Sequence, residues 1–179
     1  MINNPELIKK ALFKILPGVQ KPGRYFGGEL NSVTKNWEEI DTRVALIFPD
    51  IYDLGVPNLG IMTLYEIINA MPDALCERSY SPWLDMESKM REAGLPLYSL
   101  ESKHPLKDFD LIGLTLPYES IYTNVLNLLD LSGIPLHTNQ RSESDPLVIA
   151  GGHAAYNPEP LTDFIDAFVI GEGEEIIQE

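Results

Sequence analysis

Apolar residues fall into short continuous runs separated by longer amphipathic stretches. Residues 44–49, VALIFP, form an unbroken β-branched and aromatic run, the pattern of a strand buried on both faces. Similar strand runs follow at 75–80, 110–116, 147–151 and 167–170. Between them lie segments with helical spacing. NLGIMTLYEIINAM (58–71) repeats apolar residues at turns of a helix. SPWLDMESKMREAG (81–94) has Pro82 near its start and Gly94 at its close, and ESIYTNVLNLLDLSG (119–133) ends at Gly133. A short proline-limited helix is expected near 158–165, and another begins at GEGEEIIQE. LYSL (97–100) reads as an added edge strand beside the second strand. Strands alternating with helices predict a doubly wound α/β fold, with five parallel strands in the order 2-1-3-4-5.

The first 42 residues follow a different pattern. PELIKKALFKIL (5–16) carries one apolar stripe with Lys9, Lys10 and Lys14 facing away, and Pro17-Gly18 stops it. The glycine- and proline-rich stretch that follows predicts an irregular arm. The expected organisation is therefore an arm over 1–42 and an α/β domain over 43–179.

Charge sharpens this picture. The chain has 179 residues and a formal net charge of −14. Basic residues cluster in the arm, whereas Arg141 is the only basic residue after position 107. An acidic body repels phosphate backbones, which argues against duplex nucleic acid as a partner. No apolar run is long enough to span a bilayer, and lysines interrupt the N-terminal apolar residues, unlike a secretory signal. Cys76 is the single cysteine, so these residues hold neither a disulfide nor a cysteine-ligated cluster, and a reducing cytoplasm is the expected compartment.

Candidate chemistry gathers at the carboxyl ends of the strands, where open parallel sheets bind ligands. The first strand delivers Asp50, Tyr52, Asp53 and Gly55; the third delivers Thr115, Leu116, Pro117 and Tyr118. The fourth delivers Gly151, Gly152 and His153, and the fifth Gly171, Glu172, Gly173 and Glu174. Small residues on one edge allow a large flat ligand to approach the backbone. A phosphate-binding glycine loop is absent, since neither G-x-G-x-x-G nor G-x-x-x-x-G-K occurs. A phosphoacceptor role would need a late lysine, and none follows Lys107. His104 and His137 lie in polar loops and are expected at the surface, and Cys76 is expected to be buried.

Asp50-x-Tyr52-x-x-Gly55, Thr115-Leu116-Pro117 and Gly151-Gly152 resemble the D-x-H-x-x-G, Ser/Thr-x-Leu and Gly-Gly signature of cobalamin-binding domains. VIAGGHAAYNPEPLTDFIDAFVIGEGEE resembles the end of such a domain where it precedes a radical S-adenosylmethionine (radical SAM) barrel. Over roughly residues 20–179 the chain is similar to an uncharacterised branch of that group. The resemblance implies a flavodoxin-like, cobalamin-binding-like fold and a radical SAM barrel in cis. It implies cobalamin as cofactor here, with the [4Fe–4S] cluster and S-adenosylmethionine confined to a downstream domain. The implied cofactor-binding residues are Asp50, Tyr52, Gly55, Thr115, Gly151, Gly152, His153, Gly171 and Glu172. Catalytic residues and metal ligands are not expected within this chain, which would be the front part of a longer protein. Tyr52 stands where the resemblance expects a cobalt-ligating histidine. The alternative expectation is a vestigial structural or interaction module that binds no cofactor.

Overall fold

A computed structural model describes residues 2–177. Helix α1 spans Pro5–Ile15 and is capped by the Asn4 side chain. The first strand, β1 (Thr42–Phe48), leads through a short helix α2 (Tyr52–Gly55) into α3 (Leu59–Ala70). Then come β2 (Ala74–Tyr80), α4 (Leu84–Ala93), β3 (Leu111–Thr115) and α5 (Tyr122–Ser132). The chain continues with β4 (Leu147–Gly151), β5 (Ala167–Val169) and α6 (Gly173–Ile176).

All pairings among the five strands are parallel, and their order is β2-β1-β3-β4-β5. The expected doubly wound α/β sheet is the observed one. Helices α4 and α5 end on Gly94 and Gly133, both left-handed, as their glycines predict. Local details depart from the sequence pattern. The irregular arm contains 3-10 turns at Pro22–Tyr25 and Trp37–Glu39, and the expected helix near 158–165 is a 3-10 turn at Glu159–Leu161. Tyr118 caps a 3-10 turn at Glu119–Ile121 that leads into α5.

Alternation along the strands divides the core in two. Ala45, Ile47, Ile112, Leu114, Val148 and Ala150 pack against α1, α4 and α5. Val44, Leu46, Phe48, Cys76 and Tyr80 pack against α3. Ile8 and Leu12 of α1 are buried in the first of these clusters, so the arm is anchored in the same core as the sheet.

β2 is one of the two edge strands, yet all seven of its residues are buried. Segment 97–105 lies beside it: Leu100 N donates to Arg78 O at 2.8 Å, and Ser79 Oγ donates to Tyr98 O at 2.9 Å. LYSL therefore does lie against the second strand, but its one β-bridge joins Tyr98 to Pro105 within its own hairpin. The effect is to cover a strand edge that would otherwise offer unpaired backbone groups.

Candidate functional site at the carboxyl edge

Thr115, Gly151 and Val169 sit in register at the ends of β3, β4 and β5. Their loops interlock: Leu116 N donates to Gly151 O at 2.7 Å, and Ala154 N donates to Leu116 O at 2.8 Å. Gly152 is tightly held here. Its φ is +100°, and a Cβ would stand 3.0 Å from Leu116 O, so only glycine suits both the backbone angle and the contact. The loop after β1 joins the same edge. Tyr118 Oη donates to Asp50 Oδ2 at 2.8 Å, and Asn124 Nδ2 donates to Pro49 O at 2.8 Å.

The expected residues separate into two groups. Thr115, Gly151, Gly152, Gly171 and Glu172 line one cavity of about 370 Å³. It lies over β3–β5 on the α3 side, between the sheet, Leu64 of α3 and Ile176 and Ile177 at α6. The walls are apolar, with Leu46, Leu111, Ile149 and Val169 contributing sheet-facing side chains. Gly113 keeps the floor low; its sheet neighbours Leu46 and Ile149 flank it in register. A glycine within a strand marks close approach, and this interruption of DLIGLTL was a usable sequence signal for the cavity.

Asp50, Tyr52 and Gly55 belong elsewhere. Asp50 receives its own loop's Ile51 N at 2.7 Å as well as the Tyr118 hydroxyl, so its carboxylate braces two loops. Tyr52 Oη donates to Glu29 Oε1 of the arm at 2.6 Å, and its ring meets that of Tyr80 edge-on at 5.3 Å. Burial, followed by the Glu29 hydrogen bond, pushes the Tyr52 phenol up to about 12. Gly55 packs under Tyr80: a Cβ would fall inside the contact distance of the ring. Its lack of a side chain serves core packing. His153 is exposed, with its ring 6.5 Å from that of Tyr156, and it does not line the cavity.

An ionic cluster behind Tyr52 has no counterpart in the sequence reading. Arg78, in the middle of β2, is 2% exposed and pairs with Glu101 at 2.8 Å and with Glu29. It also lies over the Tyr65 ring at 4.7 Å. Burial raises Glu101 against the opposing pull of Arg78. Nearby Lys103, also buried, donates to Leu100 O, and desolvation lowers its amine to about 8. The adjacent Glu and Arg inside a strand run, LCERSYSP, were the only sequence hint of this cluster. Lys21 and Arg24 of the arm both pair with Asp53, and Lys35 Nζ donates to Met71 O and Ala74 O at 2.6 Å. The arm is thus strapped across α2, α3 and β2 by charged contacts.

His104 is not the free surface residue expected. It is half-buried, stacked on Trp37 at 3.6 Å, and contacts Ser102 Oγ at 2.6 Å. Ser102 Oγ also donates to Glu77 Oε2 at 2.6 Å. Here the serine stands between histidine and carboxylate, the reverse of the order that activates a nucleophile. Cys76 is fully buried, and burial raises its thiol. Among the described residues, no group of three or more His, Cys, Asp or Glu is placed to hold a metal ion, and no helix is long and apolar enough to cross a membrane.

The chain is thus a parallel five-stranded α/β domain with a glycine-floored cavity at the carboxyl edge of its sheet. The chain belongs to the family of N-terminal domains of radical SAM proteins, whose model matches residues 60–179. It is also similar to an uncharacterized protein of Methanocaldococcus jannaschii, with 27% identity over 133 residues, covering 73% of this chain. The aligned region covers 24% of that relative's length. No solved structure matches.

Proposed function

We propose that this chain is the corrinoid-presenting domain of a radical SAM protein, standing in cis beside a barrel that carries the [4Fe–4S] cluster and S-adenosylmethionine. The observation that carries the reading is the cavity at the carboxyl edge, where Thr115, Gly151, Gly152, Gly171 and Glu172 converge. Its apolar walls suit a flat organic group, and its glycines let such a group reach backbone atoms. These residues fit the organic part of a corrinoid. A protein ligand to cobalt does not fit the arrangement, because Tyr52 is committed to Glu29 and His153 lies outside the cavity. A bound corrinoid would supply cobalt chemistry to the barrel. Thr115 would offer a hydroxyl at the rim, and Leu64 and Ile149 would exclude water from the buried part.

A second reading is favoured by the bonds that close the first loop. Tyr118 holds Asp50 and Glu29 holds Tyr52, as suits a structural module that needs no cofactor.

Titration with hydroxocobalamin, followed by absorbance, separates the two. The corrinoid reading expects saturable binding without a histidine-ligated spectrum. Gly151→Leu, whose first carbon would make ordinary contact with Val169, fills the cavity and should weaken binding at least tenfold. Absence of binding by the unmodified chain overturns the corrinoid reading and leaves the structural module.

A further inference from the structure

A second, much smaller pocket lies beneath the first loop. It has a volume of about 20 Å³ and is bounded by the end of β2, the Tyr52 ring, Arg24 and segment 97–100. Its walls include Tyr80 and Ser81. Tyr80 is 6% exposed. Tyr80 Oη and Ser81 Oγ are both buried, and neither has a hydrogen-bond partner among the described protein groups.

Two independent observations therefore meet at one place. A buried hydroxyl without a partner costs on the order of 1–3 kcal/mol, so native structures seldom leave one, let alone two in the same wall. A space that admits a single water needs about 10–15 Å³ and two to four polar partners. This pocket has room for one water, and Tyr80 and Ser81, whose hydroxyls lack partners, both line it.

We propose that the pocket is a specific site for one ordered water molecule that bridges Tyr80 Oη and Ser81 Oγ. The site has a defined structural task. Ser81 N already donates to Asp50 O at 2.9 Å, so a water on its hydroxyl fixes Ser81 from both sides. The end of β2 is thereby tied to the loop that carries Asp50 and Tyr52. Ser79, another wall residue, spends its hydroxyl proton on Tyr98 O and leaves the bridging role to its two neighbours. The proposal stands apart from the corrinoid reading, since the two cavities share no lining residue.

A crystal structure at a resolution that shows ordered solvent tests it directly. The expected result is one water peak about 2.6–3.2 Å from both oxygens. An empty pocket, or a direct Tyr80–Ser81 hydrogen bond in its place, overturns the proposal. Tyr80→Phe, Ser81→Ala and the double variant give an independent test in solution. Each single change should raise the unfolding equilibrium constant about tenfold. The double change should fall well short of the product, because the water is lost with its first partner. A double effect equal to the product overturns the bridge.

Discussion

Tyr52 Oη and Glu29 lie 2.6 Å apart, and the same carboxylate pairs with the buried guanidinium of Arg78. The residue at the position expected to face a cofactor is thus turned toward the N-terminal arm. Its hydroxyl links the arm, the first loop and β2 through one acidic side chain.

Removing that hydroxyl should loosen the arm without touching the large cavity. Tyr52→Phe is expected to cost about 1–2 kcal/mol in urea unfolding. It should leave any hydroxocobalamin affinity unchanged. The phenol is raised to about 12 in the folded state, so its contribution is complete below pH 10 and declines as pH climbs toward 12. The stability gap between Tyr52→Phe and the unmodified chain should therefore narrow across that window. A gap that widens with pH would contradict the assignment.

Lys103 should show the opposite trend. Its amine is lowered to about 8 when folded, so between pH 8 and about 10.5 the unfolded chain binds more protons than the folded one. Charged Lys103 destabilises the fold at neutral pH, and that penalty is relieved as pH rises. Lys103→Met is expected to remove this alkaline gain. Chemical denaturation of both proteins from pH 7 to 10 measures the difference, and parallel curves would exclude a shifted Lys103.

Arg78 tests the buried ionic cluster. Its pair Glu101 has a fully buried side chain, and Arg78→Met leaves that carboxylate without its partner. The expected loss is about 3–5 kcal/mol, the range for breaking rather than replacing a buried pair. Adding Glu101→Leu should recover a large part of it. Equilibrium unfolding of the single and double variants checks both statements, and a loss under 1 kcal/mol for Arg78→Met would refute the paired arrangement.

Gly55→Ala probes packing at the base of the first loop. The added methyl collides with the Tyr80 ring and lies 3.0 Å from Phe48 Cβ. Overpacking of this kind costs about 1–3 kcal/mol. The thermal midpoint should fall, whereas a neutral substitution would mean that Gly55 owes its identity to something other than Tyr80.

The sheet was legible in the sequence because each strand's pattern is local. VALIFP and DLIGLTL are too apolar for exposed segments, and the intervening helices are long enough only for parallel crossovers. The family resemblance, carried by Gly151-Gly152 and GEGEE, agrees with the radical SAM N-terminal family that matches residues 60–179. Motif spacing also placed Asp50, Thr115, Gly151 and Gly171 on one edge, since strand ends in a parallel sheet share a direction.

Division of that edge into a cavity and a braced loop was decided by tertiary structure alone. Tyr52 and Glu29 are separated by 23 residues, and Glu29 and Arg78 by 49. No periodicity relates such positions. Their meeting depends on how the irregular arm crosses β2. The burial of Arg78 was likewise hidden, because a charged residue in an outer strand reads as solvent-facing until segment 97–105 covers that edge. Hydrophobic patterning reports which residues leave water; it cannot specify which buried charges meet, because that depends on contacts between distant parts of the chain.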